Sequence, residues 1–152
     1  VYSLQLQVTV YSMWWKKKNS ILEKTSINGK PVSLWLNAAL PPLLWAGVIF
    51  LFSSRSALPS APYSSYDFIL KKVAHITVFA VLFLLTNRSF TLLSPKYSLK
   101  KHWYVPVLIC LMYAVSDEIH QHFVPNRHAT LRDVGFDMLG VFTMYLKKTN
   151  RV

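Results

Sequence analysis

Between Leu34 and Phe52 the chain runs for nineteen residues without a charge. A run of that length approaches the ~20 apolar residues that cross a bilayer as a helix. Three shorter apolar runs follow. Val73–Asn87 is bounded by Lys72 and Arg88, Trp103–Ser116 by His102 and Asp117, and Val134–Leu146 is interrupted by Asp137 and ended by Lys147. As core helices of a water-soluble protein these runs would need polar outer faces, and Val73–Asn87 and Trp103–Ser116 have none. The pattern predicts an all-α, multi-pass membrane helical bundle of four transmembrane helices. The three short runs reach spanning length only by continuing into polar residues at one end. The 53% hydrophobic content of these 152 residues agrees with a single membrane domain. The expected division is an N-terminal basic segment (1–33), the four-helix domain (34–147) and a tail (148–152).

The net charge of +11 admits nucleic acid or an anionic membrane surface as partner. The Lys and Arg lie between apolar runs rather than along one polar face, so the lipid bilayer is the expected partner and nucleic acid is not. Lys and Arg number five in 13–33, three in 53–72, four in 88–102, one in 117–130 and three in 147–152. This alternation puts the N-terminus, the 88–102 loop and the C-terminus in the cytoplasm. No signal-peptide pattern precedes the first run, so the expected location is the cell membrane. Met13 opens "MWWKKKNS", interface tryptophans followed by a basic anchor, in the manner of a membrane-protein start. Residues 1–12 are therefore expected to be an upstream extension without a folded role. Cys110, the one cysteine, lies inside an apolar run and reads as a small core residue.

Four of the six acidic residues and three of the five histidines fall in "SDEIHQHFVPNRHATLRDVGFD", Ser116 to Asp137. With Arg88, Lys101 and Lys147 at the inner boundary, a rise of about 1.5 Å per residue lifts His75 about 20 Å, Asp117 about 24 Å and Asp133 about 21 Å. Lys72 and Arg132 join that layer at about 24 and 23 Å, and Asp137 sits lower, at about 15 Å. Charges at such depth cost a few kcal/mol when they face lipid. The faces that carry them are expected to turn inward and meet around an outward-opening polar cavity, with Lys72, Arg132, His75 and Arg55 as counter-charges. Gly140, beside Asp137 on helical spacing, allows a neighbouring helix to come close. Pro41 and Pro42 are expected to bend or loosen the first helix. In an enzyme, His75 or Asp117 would act as general base and Asp133 or Asp137 would hold a second proton, while Lys72, Arg127 and Arg132 would clamp a phosphate or carboxylate. The bland alternative is a closed ion-pair network that fixes helix packing. "DEIHQH" is not H-E-x-x-H, and His120 and His122 diverge on a helix. A set of His75, Asp117 and Asp133 from three helices is conceivable, yet spacing alone supplies no coordination geometry, so no metal and no other cofactor is expected.

Three segments, "VIFLFSSRS" (48–56), "DFILKKVAHITVFAVLFLL" (67–85) and "YAVSDEIHQHFVPNRHATLRDVGFDMLG" (113–140), resemble the VanZ-like membrane proteins in content and order. The S-D-E-x-H-Q, F-V-P-x-R and R-D-x-x-x-D elements of the third are the most specific, and the resemblance runs from about Leu34 to Leu146. It implies a small bacterial multi-pass protein of the cell envelope, whose family namesake is associated with low-level teicoplanin resistance. It maps the family's polar positions onto Ser53, Ser54, Lys72, His75, Asp117, Glu118, Gln121, Arg127, Asp133 and Asp137. Phe79 stands where the family often has tyrosine. The function expected on these grounds is recognition or processing of a lipid-linked cell-wall precursor or envelope lipid headgroup. A non-catalytic binder that shields envelope lipid or an antibiotic target is the first alternative. A small proton-coupled carrier, working as a homo-oligomer, is the second. Topology reporters fused after Ser60 and after Pro95 test the charge pattern: the first should report the outside and the second the cytoplasm, and the reverse would refute the assigned orientation.

Overall fold

The computed structural model describes residues 13, 26–56, 64–125, 127 and 130–150. Residues 1–12, the expected extension, lie outside them. Two compact units emerge, 1–37 and 38–152. In the first, β1 (Ser26–Ile27) pairs antiparallel with β2 (Lys30–Pro31), with Ile27 opposite Lys30. Asn28 and Gly29 have φ of 50° and 72°. Both values are positive, as a two-residue type I′ turn requires, and an Asn-Gly pair is its usual sequence. That pair is legible in the sequence, and the expectation of a merely basic segment overlooked it. Trp35 Nε1 donates to the Ile27 carbonyl at 3.0 Å.

The helices are α1 (Val32–Ser53), α2 (Ser64–Leu93), α3 (Leu99–His102, a single turn), α4 (Tyr104–His122) and α5 (Leu131–Lys148). The chain is therefore predominantly α-helical, as expected. The short apolar runs do continue into polar sequence. α2 begins nine residues before Val73, α4 continues six beyond Ser116, and α5 starts three before Val134. α2 also continues past Arg88 to Leu93, so Arg88 lies within the helix rather than at its end. α1 and the Phe68–Leu93 part of α2 are each long and apolar enough to cross a membrane.

Cross-helix contacts give the directions. Ala46 meets Tyr113 and Ser53 meets Asp117, so α1 and α4 run the same way. Lys72 meets Asp133 and His75 meets Asp137, so α2 and α5 also run the same way. Trp45 with Val78, and Ala38 with Ser89, set α1 against α2. Trp103 with Tyr145, and Glu118 with Thr130, set α4 against α5. The unit is an alternating four-helix arrangement, in which α2 and α5 can lie side by side in parallel because α3 and α4 carry the chain back between them.

α1 is helical straight through Pro41 and Pro42. Pro42 has no N–H to offer the Ala38 carbonyl four residues earlier, and Ser89 Oγ of α2 donates to that carbonyl at 2.5 Å. This is the neighbouring-helix compensation that tolerates proline in apolar helices. Between α2 and α5, a Cβ added at Gly140 would lie 2.9 Å from the Ile76 carbonyl carbon and 3.1 Å from its Cα, both backbone atoms. Only glycine fits that crossing. The core beside it is apolar and includes Ile49, Phe79, Phe83, Cys110, Ala114 and Val141, all buried. The outer surface is apolar too: Leu43 and Leu44 are each 66% exposed, Leu70 61% and Met112 64%. The most apolar windows of α1 and α2 are only 11% and 17% buried, whereas a soluble protein would bury such helices in its core. Gly140→Ala should lower stability by about 1–3 kcal/mol through backbone overlap, while Gly135→Ala, with open space around it, should leave stability unchanged or raised. Thermal unfolding in detergent measures both, and equal behaviour of the two variants would contradict the close crossing.

Candidate functional site

The four buried acidic residues among the described residues, Asp117, Glu118, Asp133 and Asp137, lie toward one end of the helices, where α1 stops and α5 begins. Ser53, the last residue of α1, donates from Oγ to Asp117 Oδ2 at 2.8 Å. Gln121, one turn further along α4, donates from Nε2 to the same oxygen at 2.8 Å. Asp117 is thus buried with two neutral donors. Lys72 of α2 forms an ion pair with Asp133 of α5, and its Nζ lies 5.3 and 5.5 Å from the ring centres of Phe68 and Phe136. One turn deeper, His75 Nδ1 and Asp137 Oδ1 are 2.9 Å apart. Glu118, on the next stripe of α4, accepts the Thr130 backbone N–H at Oε2, 2.8 Å away, and so ties α4 to the start of α5.

The spacing of these contacts follows from helix geometry. Lys72 and His75 lie on one face of α2 at i, i+3, and Asp133 and Asp137 on one face of α5 at i, i+4. Two parallel helices in register therefore make two successive rungs. The common level inferred from helix rise is realised by direct contact. A cavity of about 450 Å³ opens beside the rungs. Ser53, Lys72, His75, Asp117, Gln121 and Asp133 supply polar groups to its wall, and Trp45, Val48, Ile49, Phe52, Val78 and Phe79 supply the apolar part.

Arg132, Ser54 and Arg127 make contacts of other kinds. Arg132 is exposed, with its guanidinium 5.5 Å from the Phe68 ring centre, and does not line the cavity. Ser54 is exposed and bonds the Phe50 carbonyl and His120 Nε2, at 2.7 and 2.9 Å. His120 and His122 diverge as expected: His120 stacks on Phe50 and His122 meets Phe123 edge-on. Arg127 reaches the cavity wall, but its Nε and Nη2 donate to the Arg55 and Phe52 carbonyls at 3.0 and 2.9 Å, capping the end of α1. Burial pulls its guanidinium below the ordinary value, against the opposing pull of Asp117 and Glu118. Among the described residues, a different trio from the one considered above converges with metal-ligand spacing, namely His75, Glu118 and Asp137. Local spacing could not reveal it, because its members meet only through the packing of three helices. Trp45 was also missed as a site residue. Its indole N–H donates to the Val78 carbonyl at 2.8 Å, which sets the ring against the cavity.

With this arrangement in view, comparison with known families is decisive. The VanZ/LLP1 family profile matches residues 6–147. The chain belongs to the VanZ/LLP1 family. The match begins well before Leu34, so the family's extent takes in most of the basic N-terminal segment that the motif resemblance left out. No curated protein and no solved structure matches the chain. For this VanZ/LLP1 chain the motif residues of α4 and α5 are therefore understood through their contacts: Asp117 with Ser53, Asp133 with Lys72, Asp137 with His75. Breaking one side of a buried pair strands the other charge, at about 3–5 kcal/mol. Lys72→Met or Asp133→Asn alone should each destabilise strongly. The double variant Lys72→Met/Asp133→Leu should cost much less than their sum, as read by denaturant unfolding in detergent. Additive losses would contradict a coupled pair.

Proposed function

We propose that this protein is a four-span bacterial cell-envelope membrane protein with both termini in the cytoplasm, whose cavity takes the headgroup of an envelope lipid or lipid-linked cell-wall precursor. The observation that carries this reading is the mixed wall of the cavity. Acidic, basic and amide groups line it together with tryptophan, phenylalanine and branched aliphatic side chains. A small hydrophilic solute would leave the apolar groups unmatched, and a hydrocarbon would strand the charges. An amphiphile satisfies both. The charge alternation of the loops supports an outward-facing opening, and the exposed apolar belt supports crossing by α4 and α5 beside α1 and α2. Lys72 supplies a positive charge for a phosphate or carboxylate, and Asp117 and Gln121 supply acceptor and donor atoms for hydroxyl or amine groups. Sequestering such a headgroup would also account for a contribution to glycopeptide resistance.

A second reading has its own support. His75 is held by a carboxylate on the side away from the cavity, the base-plus-orienter pairing used in acid–base catalysis. On that reading the headgroup is processed, with His75 as base. Native mass spectrometry of the protein extracted gently from its membrane tests the binding proposal. The wild type should carry a defined anionic or zwitterionic lipid, and Asp117→Asn should lose most of it while eluting as a folded species. A wild type that carries only the bulk lipid mixture would refute it.

A further inference from the structure

We propose that His75, Glu118 and Asp137 bind one divalent transition-metal ion, of the zinc class, behind the polar wall of the cavity. The inference goes beyond the headgroup proposal and does not need it, because the ion would be held by atoms of the chain alone. One potential ligand atom from each residue lies within 4.8 Å of the other two, and the three come from α2, α4 and α5. Zinc bonds to nitrogen and oxygen of about 2.0–2.2 Å place tetrahedral ligands about 3.4 Å apart. Side-chain rotation that closes the trio by about an ångström would bring all three onto one ion.

The second observation is independent of this spacing. Asp137 is fully buried, and its Oδ2 has no hydrogen-bond partner among the described residues. Glu118 is 6% exposed, and its Oε1 has none either. The Thr130 hydroxyl, on the residue whose amide holds Glu118, is also buried and unpaired. Unsatisfied carboxylate oxygens are rare in protein interiors and call for an occupant. Charge points the same way. Lys72 pairs with Asp133, and Arg127 donates to the Phe52 and Arg55 carbonyls. Among the described residues, Glu118 accepts a hydrogen bond from one backbone amide and Asp137 meets one imidazole. With His75 neutral, two negative charges face a single site, and a dication cancels them. A metal requires that same neutral imidazole, so binding would displace any proton shared between His75 Nδ1 and Asp137. One histidine and two carboxylates form a nitrogen–oxygen donor set suited to zinc, manganese or iron rather than to a thiophilic ion. Three protein ligands would leave a position for water or for a ligand atom arriving from the cavity that His75 lines.

The experiment uses the full chain in detergent, stripped with chelator and titrated with ZnCl₂ or CoCl₂. The wild type should retain about one zinc per chain after desalting and show visible Co²⁺ bands that zinc abolishes. Glu118→Gln and Asp137→Asn should each weaken retention at least about tenfold. Asp117→Asn, which alters the cavity but not the trio, should keep full stoichiometry. X-ray absorption of the zinc-loaded wild type should show a single histidine among nitrogen and oxygen neighbours, and this settles the matter even if a variant fails to fold. A wild type holding no zinc above buffer, a site with two or more histidines, or full retention in Glu118→Gln/Asp137→Asn would overturn the proposal. Lipid content measured on the same samples keeps the two ideas apart, since metal-free protein with bound lipid would sink the ion alone.

Discussion

A charge in an apolar surrounding must turn inward and find a partner, and the rest of this fold is arranged around that demand. The exterior of α1, α2 and α4 is a belt of exposed Leu, Phe, Val, Ile and Met, while Asp117, Glu118, Asp133 and Asp137 are buried. A water-soluble protein distributes these residue types the other way round. Each of these acids meets a group outside its own helix: Asp117 meets α1, Asp133 and Asp137 meet α2, and Glu118 meets Thr130, the N-cap residue of α5. The polar contacts are therefore also the register marks of the bundle.

Close packing makes those contacts reachable. The rungs Lys72–Asp133 and His75–Asp137 require α2 and α5 to approach without a side chain between their backbones, and Gly140 against the Ile76 carbonyl provides that approach. At the other end of α1, Ser89 replaces the donor that Pro42 lacks, so the helix stays intact while offering Trp45, Ile49 and Ser53 to the cavity. Arg127, at the cavity wall, also closes the last turn of α1. Its removal would be felt first as a loosened Ser53 and, through Ser53, a less well held Asp117.

Much of this was readable before any coordinates. Uncharged runs without a polar face required a membrane-type helical fold, and their shortness required extension into polar sequence, as α2, α4 and α5 display. The gathering of Lys72, His75, Asp117, Asp133 and Asp137 followed from helix rise and the cost of exposing charge to lipid. Pairing did not follow. Rise per residue fixes depth but not rotation, so it could not separate Arg132, which points out over Phe68, from Lys72, which points in. Nor could it choose between Asp117 and Glu118 as the companion of His75 and Asp137, since adjacent residues differ by about 100° around a helix. The reach of α2 beyond Arg88 was hidden for a related reason: a lone arginine inside a helix leaves no mark in local hydropathy that distinguishes it from a boundary.

The central claim is that α2 and α5 bring their ionisable groups together in two successive rungs. Solid-state NMR on the protein in lipid bilayers, with ¹⁵N in lysine and histidine side chains and ¹³C in aspartate carboxyls, tests it directly. Strong ¹⁵N–¹³C dipolar contacts should link Lys72 to Asp133 and His75 to Asp137, and each should vanish when its aspartate is replaced. Absence of both contacts in well-folded wild-type protein, or contacts linking Lys72 and His75 to other carboxyls, would contradict it.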